Sequence, residues 1–175
     1  PLEQTMEECI EGIEHIVFPK PYSFIWIALM EPESSSLKIS HQKIAPWYVM
    51  DDYSQQAGLS ILQETAQSGK SQLTVGTYHP QKPNILATTV GVPLKTNDKI
   101  HGVVLIALTD AAHNHIYDES DLQVVELMCN QLVWVLEKQR LYEDLQYQYI
   151  QTIQALAKAV DLKDSDTMDH SNKAS

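Results

Sequence analysis

The chain has 175 residues, of which 43% are hydrophobic and 20% are charged, a composition typical of a folded globular protein and not of a disordered or fibrous one. It carries 12 basic and 23 acidic residues, for a net charge of -11, and Arg140 is its single arginine. This balance argues against a broad surface for nucleic acid or for an acidic membrane, because both require clustered positive charge.

The two cysteines, Cys9 and Cys129, cannot form a framework of disulfides, and both lie among apolar residues at helical spacing. We therefore expect free, buried thiols and a cytoplasmic protein. No apolar run approaches the roughly 20 residues of a membrane-spanning helix. The first residue is Pro1 and not methionine, which indicates a piece of a longer protein.

The front of the chain predicts one helix followed by two strands. Apolar residues at steps of three and four predict an amphipathic helix over 2–17. The apolar run 23–30, bounded by Pro21 and Pro32, predicts a strand buried on both faces. Residues 37–44 alternate in the manner of a half-exposed strand, so a β-hairpin is the simplest connection.

A second helix and three more strands are predicted next. Helical spacing over 54–68 ends at Gly69, in the usual position of a glycine that follows a helix. A short strand at 73–75 and two longer strands at 85–94 and 100–108 follow, and a polar turn joins the last two.

A long final helix is predicted to begin after Asp118, which can cap it. From Val125 to Val160, apolar residues recur at alternating steps of three and four, interrupted by Gln139 and Gln146, in the heptad pattern of a helix that packs against another helix. We therefore expect a homodimer. The alternative is two helices broken near Tyr147. The predicted dimer-helix residues are Val125, Met128, Leu132, Val135, Tyr142 and Tyr149.

The order of elements predicts an α+β protein, with the first and last helices on one face of a sheet. The other face is left to the loop-rich segments 45–69 and 76–84, which form an aromatic and polar lid of the kind that often covers a small-molecule pocket. The candidate pocket residues are Trp26, His41, Trp47, Tyr48, Tyr53, Tyr78 and His79. Alternatively, these aromatic side chains complete the core.

Four separated segments resemble the second half of a GAF domain, in that family's order: 91–94, 100–105, 117–122 and 139–142. The resemblance covers residues 2–142 and implies an antiparallel sheet of about six strands between helices, used as a sensory or regulatory module. The chain lacks the Asn-Lys-Phe-Asp-Glu pattern of the cyclic-nucleotide-binding members, and its lid segments lack cysteines for bilin attachment or for methionine-sulfoxide reduction.

A second resemblance begins where the long helix ends. Residues 152–171 are similar to the opening of an HD-GYP domain, a metal-dependent phosphodiesterase that acts chiefly on cyclic di-GMP. The resemblance places Asp166 and His170 at metal-ligand positions, for a divalent iron- or manganese-type ion. Two ligands cannot hold a catalytic ion, so we expect no hydrolase activity, no catalytic residue and no cofactor in this chain alone. The alternative is a solvent-exposed tail.

These patterns predict three segments: a GAF-like sensory domain at 1–142, a signalling helix at 143–160 and the start of an HD-GYP-like domain at 161–175. The predicted function is a small-molecule sensor that controls the phosphodiesterase through the helix. The alternative is a ligand-free dimerisation scaffold for the same enzyme.

Overall fold

A computed structural model describes residues 2–17, 20–31, 34–76, 86–97, 99–109 and 116–172, with the side chains of 2, 3, 16, 17 and 161–172 left out. The elements follow in the order α1 (Leu2–Val17), β1 (Phe24–Met30), β2 (Leu37–Ile44), α2 (Asp52–Ser68), β3 (Gln72–Val75), β4 (Leu86–Thr96), β5 (Lys99–Thr109) and α3 (Glu119–Asn172). Each of the predicted helices and strands is present. The chain divides into two units, Pro1–Val135 and Leu136–Ser175, and all the described strands belong to the first.

The five described strands form one antiparallel sheet in the order β2-β1-β5-β4-β3. Its centre is buried on both faces, because every side chain over 24–28 and 103–108 is at most 1% exposed. This confirms the α+β prediction and the two-sided burial of the first strand. The resemblance implied about six strands, and five are described. Residues 77–85 and 110–115 lie outside the described part of the chain.

Helix α2 covers one side of the sheet, which we call the α2 face. A Cβ atom on Gly58 would lie 2.6 Å from the ring of Trp26 on β1, and one on Gly91 of β4 would lie 2.7 Å from Thr65 Oγ1 on α2. Both glycines therefore let helix and sheet approach closely. Asp51 caps the start of α2 by accepting a hydrogen bond from the Ser54 backbone N–H at 2.7 Å.

Helix α1 and the beginning of α3 cover the opposite side of the sheet, which we call the α1 face. A Cβ atom on Gly12 of α1 would lie 2.6 Å from Cε of Met128 on α3, so the two helices touch each other. Val125 of α3 lies beside Val90 and Ile106, whose side chains point away from α2. The predicted pairing of the first and last helices on one face is confirmed.

Two aspartates and a lysine fix the start of α3. Asp118 accepts hydrogen bonds from the backbone N–H groups of Ser120 and Asp121, and the Asp121 carboxylate accepts one from the Asp118 N–H at 2.7 Å. Lys20 lies 3.0 Å from Asp118 and 2.6 Å from Asp121. The helix then continues to Asn172, so the alternative of two helices broken near Tyr147 is wrong.

A β-bulge divides β2 into two halves. Ile27 pairs with His41, whereas Ala28 pairs with Ile39, so Ser40 is an extra residue on β2. Side chains that are paired across antiparallel strands share a face, so the odd-numbered residues before and after the bulge point to opposite faces. Those toward α2 are Leu37 and Ile39; those toward α1 are His41 and Lys43.

The close approach at Gly58 predicts that even one added methyl group destabilises the fold. We expect Gly58→Ala to lower the free energy of unfolding by about 1 kcal/mol, because overpacking costs about 1–3 kcal/mol and the helix-propensity gain returns about 1 kcal/mol at most. Urea unfolding measures the change. The control, Ser60→Ala at an exposed position on the same helix, should leave stability unchanged or slightly raised. A Gly58→Ala protein more stable than the wild type would contradict the close contact with Trp26.

The carboxylate of Glu14 ties α1 to the sheet by accepting hydrogen bonds from the Lys43 ammonium and from the Tyr22 hydroxyl. These two donors hold the pKa of Glu14 below its ordinary value. Stability from this group is therefore present above the unfolded pKa and is lost as the pH falls through the folded pKa. We expect Glu14→Gln to lose less stability than the wild type between about pH 6 and about pH 3 in thermal melts. Glu7→Gln, an exposed change on the same helix, should keep the wild-type slope.

Candidate functional site

Two of the predicted pocket aromatics are part of the core on the α2 face. Trp26 is 1% exposed and Tyr48 is 8% exposed, and both pack on Phe24. The ring centroids of Phe24 and Trp26 are 4.5 Å apart, and those of Phe24 and Tyr48 are 6.1 Å apart in a stacked arrangement. Burial raises the pKa of the Tyr48 hydroxyl. For these two side chains, the alternative of core completion describes the structure.

The other predicted pocket residues are not brought together with them. Trp47 and Tyr53 are 48% and 50% exposed, and Trp47 touches Tyr48 edge-on with the ring centroids 5.9 Å apart. His41 lies after the bulge and points to the α1 face, away from Trp26, because the extra residue changes the face of the strand. Tyr78 and His79 lie outside the described residues.

A groove of about 380 Å³ opens on the α2 face, between β2 and the flank of α2. Its described wall combines four aliphatic residues with Lys38 and Gln63, and none of the predicted pocket residues that the structure describes belongs to it. The lining residues are Leu37, Lys38, Ile39, Leu59, Leu62 and Gln63. Sequence reasoning missed this set because the alternation of β2 shows which residues are half-buried but does not show the bulge that turns Leu37 and Ile39 toward α2.

The α2 face also holds buried polar atoms that lack a hydrogen-bond partner in the described structure. These are Trp26 Nε1, Thr65 Oγ1 and Thr89 Oγ1, on side chains at most 1% exposed. A buried polar group without a partner costs about 1–3 kcal/mol. Thr88 Oγ1 is in the same state on the other side of the sheet, since Thr88 pairs with Leu108 and Thr89 pairs with Ala107.

The Cys129 thiol is buried, as predicted, whereas Cys9 is half-buried. Cys129 is 1% exposed, and both cysteines are free. Burial raises the pKa of Cys9 to about 11 and raises that of Cys129 well above its ordinary value. Thiolate is the reactive form of cysteine, so neither side chain is set up as a nucleophile.

The predicted dimer residues divide into two groups. Val125 and Leu132 are 0% and 2% exposed in the core of the first unit, and Met128 touches α1. A second copy cannot contact Val125 and Leu132 while the domain is folded, so these two positions are removed from the predicted contact surface. Val135 is half-buried, whereas Tyr142 and Tyr149 are 62% and 66% exposed.

The second unit is a helix that exposes large apolar side chains on several faces. Each is between 48% and 66% exposed, and they are Leu141, Tyr142, Leu145, Tyr147, Tyr149, Ile150, Ile153, Leu156 and Val160. An isolated helix derives little stability from its own hydrogen bonds, and apolar surface of this extent is characteristic of contact with a partner.

The predicted metal ligands Asp166 and His170 fall within α3, and their side chains lie outside the described part of the structure. Among the side chains that are described, no group of three or more His, Cys, Asp or Glu residues is arranged to hold a metal ion. None of the described helices contains a stretch long and apolar enough to cross a membrane.

No protein-family profile and no curated protein sequence matches the chain. Its fold, however, matches solved structures of GAF domains. A GAF domain from Synechocystis in its photoproduct state gives a TM-score of 0.60 over 83% of this chain and 99% of that chain, at 13% identity. The second GAF domain of DevS from Mycobacterium smegmatis gives 0.58 over 83% and 99%, at 8% identity. A GAF domain/HD domain protein from Geobacter sulfurreducens gives 0.56 over 81% and 95%, at 10% identity. The chain has the GAF fold.

The different burial of two neighbouring aromatic residues predicts different costs of truncation. We expect Tyr48→Ala to lower the free energy of unfolding by about 3 kcal/mol, because it removes a buried ring that stacks on Phe24. Trp47→Ala should cost about 1 kcal/mol or less, since half of its ring is already in water. Urea unfolding of the two variants makes the comparison, and equal costs would contradict the described packing.

Proposed function

We propose that this chain is a cytoplasmic regulatory module of a signalling protein, which binds a small molecule on the α2 face and controls an HD-GYP-type cyclic di-GMP phosphodiesterase. The observation that carries the proposal is α3. This helix begins against the sheet, where Val125 is buried, and continues unbroken to Asn172 through the segment that resembles the opening of an HD-GYP domain. A continuous helix is a direct means of transmitting a change in the sheet domain to a following domain.

Two features of the α2 face support a ligand-binding role. The groove beside β2 has a volume of about 380 Å³, within the range of small-molecule sites. Deeper under α2, the indole N–H of Trp26 and the hydroxyls of Thr65 and Thr89 are buried and find no hydrogen-bond partner among the described residues. A ligand with hydrogen-bonding groups would offset the cost of burying them.

Two features support the output role. The apolar side chains exposed along the second unit are suited to a helix pair formed with a second copy, through the half of the predicted seam that includes Tyr142 and Tyr149. The Geobacter protein of the same fold is described as a GAF domain/HD domain protein, which gives a precedent for this combination of domains. The catalytic metal would be held by Asp166 and His170 together with ligands from the remainder of the enzyme domain.

The ligand-free scaffold is the second candidate function, and the packing of α2 favours it. Gly58 brings the helix onto the ring of Trp26, and Trp26 and Tyr48 fill the space where the sequence predicted a pocket. In this function the sheet domain positions two copies of the enzyme and responds to no small molecule.

A thermal-shift screen with nucleotides, amino acids, haem and metal ions separates the two functions. A ligand that binds only the folded chain, at about 100 times its Kd, should raise Tm by about 5 °C or more. Thr89→Val should reduce that shift, because it removes a hydroxyl on the α2 face. Thr88→Val, which removes an equally buried hydroxyl on the α1 face, should preserve it. A screen in which no compound raises Tm would favour the scaffold.

The dimer through α3 can be tested by a charge placed on its exposed seam. We expect Tyr149→Lys to shift the chain toward the monomer in sedimentation velocity, since a lysine in a helix-helix seam opposes pairing. Gln148→Lys is the matched control, one residue away and also exposed, and it should retain the wild-type distribution. A wild-type chain that stays monomeric at high micromolar concentration would remove the basis of the dimer.

A further inference from the structure

The outer edge of β2 combines a free backbone edge, an aliphatic groove and positive charge. In the described sheet, β2 is the end strand, with β1 as its one neighbour. Backbone bonds at the two ends of the hairpin fix the pairing pattern: Ala45 N–H to Ser23 O, and Glu31 N–H to Ser36 O, each 2.9 Å.

The direction of the unpaired backbone groups follows from that pattern. In an antiparallel pair, hydrogen-bonded and non-hydrogen-bonded positions alternate along each strand. Ser36 is a hydrogen-bonded position, so the next hydrogen-bonded position along β2 is Lys38. Leu37 and Ile39, on either side of Lys38, are non-hydrogen-bonded positions. The N–H and C=O groups of Leu37 and Ile39 therefore point away from β1, toward the open edge.

The side chains at the same two positions belong to the wall of the groove. The bulge at Ser40 turns Leu37 and Ile39 toward α2, where Leu59 and Leu62 form the facing wall. A strand added along this edge would bond to the outward backbone groups of Leu37 and Ile39. Its alternate side chains would then enter the groove, which is the arrangement by which an extended peptide is recognised at a sheet edge beside a helix.

The positive charge of β2 indicates which residues the added strand would carry on its α1 face. The chain as a whole has a net charge of -11, but β2 contains two lysines and a histidine and lacks any carboxylate. Lys38 is opposite Leu29 and so points to the α1 face. Its ion pair with Glu31 is long, at 3.8 Å, and exposed, so the Lys38 ammonium is open to a stronger partner.

We propose that the edge of β2 binds an extended segment of a partner protein as an added strand, with aliphatic residues alternating with aspartate or glutamate. The aliphatic side chains enter the groove, and the carboxylates lie beside Lys38. A second copy of this chain is a poorer occupant through β2 itself, because pairing two such strands brings lysines together. The aliphatic side chains would occupy the same groove that supports the small-molecule role, whereas the polar atoms of Trp26, Thr65 and Thr89 that lack a partner in the described structure lie deeper under α2.

Fluorescence polarisation with a labelled decapeptide, in which valine and glutamate alternate, tests the proposal on the whole chain. We expect saturable binding, weakened about tenfold or more by Leu59→Gln in the groove wall and by Lys38→Glu on the strand. Two matched controls should retain wild-type affinity: Val75→Gln, an exposed aliphatic residue on the opposite edge strand, and Lys70→Glu, an exposed lysine outside the strands. Circular dichroism of each variant verifies folding.

A second peptide separates strand addition from apolar adsorption. The same sequence with alternate backbone nitrogens methylated cannot donate to the edge of β2, and it should not bind. Absence of binding by the first peptide, equal binding of the methylated one, or equal loss in the control variants would each overturn the proposal. If small molecules raise Tm but the peptide does not bind, this inference fails and the proposed sensor function stands. If the peptide binds and no small molecule raises Tm, this inference stands and the proposed sensor function fails.

Discussion

Burial of the two central strands on both of their faces is the constraint on which the rest of the first unit depends. The side chains of 24–28 and 103–108 point alternately up and down, and water reaches none of them to a significant extent. One layer of helices cannot achieve this, so α1 and the start of α3 lie on one side and α2 on the other. Covering both faces requires close packing of the helices, which glycines permit. Gly58 and Gly91 let α2 approach the sheet, and Gly12 lets α1 approach α3.

The helix α3 meets two different demands along its length. Its first turns supply Val125 and Leu132 to the core, and their contribution is the ordinary one of buried aliphatic side chains, about 1.5–3 kcal/mol each. Beyond Val135 the same apolar repeat continues with tyrosines and aliphatic residues in water. These exposed side chains are the basis of the proposed dimer, and the burial of Val125 and Leu132 shows that the heptad pattern alone does not separate core positions from exposed ones.

The sequence predicted the elements well because each one is specified locally. Proline bounds the first strand, Gly69 ends α2 with a left-handed conformation (φ of 61°), and Asp118 caps α3. The candidate site was predicted less well because it depends on non-local geometry. Aromatic residues near a predicted lid resemble pocket residues and core residues equally, and only the contact of Trp26 with Gly58 and Phe24 distinguishes them. The groove escaped prediction because a single extra residue at Ser40 reverses the direction of the side chains before it.

That extra residue makes β2 a member of both layers of the domain. Its first half contributes Leu37 and Ile39 to the wall opposite α2, and its second half holds α1 through Lys43 and Glu14. A shift of the strand by one residue along its axis would turn its side chains to the opposite faces. The ion pair would become exposed, and the aliphatic wall would move at the same time. The bulge thus joins the wall of the edge groove and the anchor of α1 within one strand, on opposite faces of the sheet.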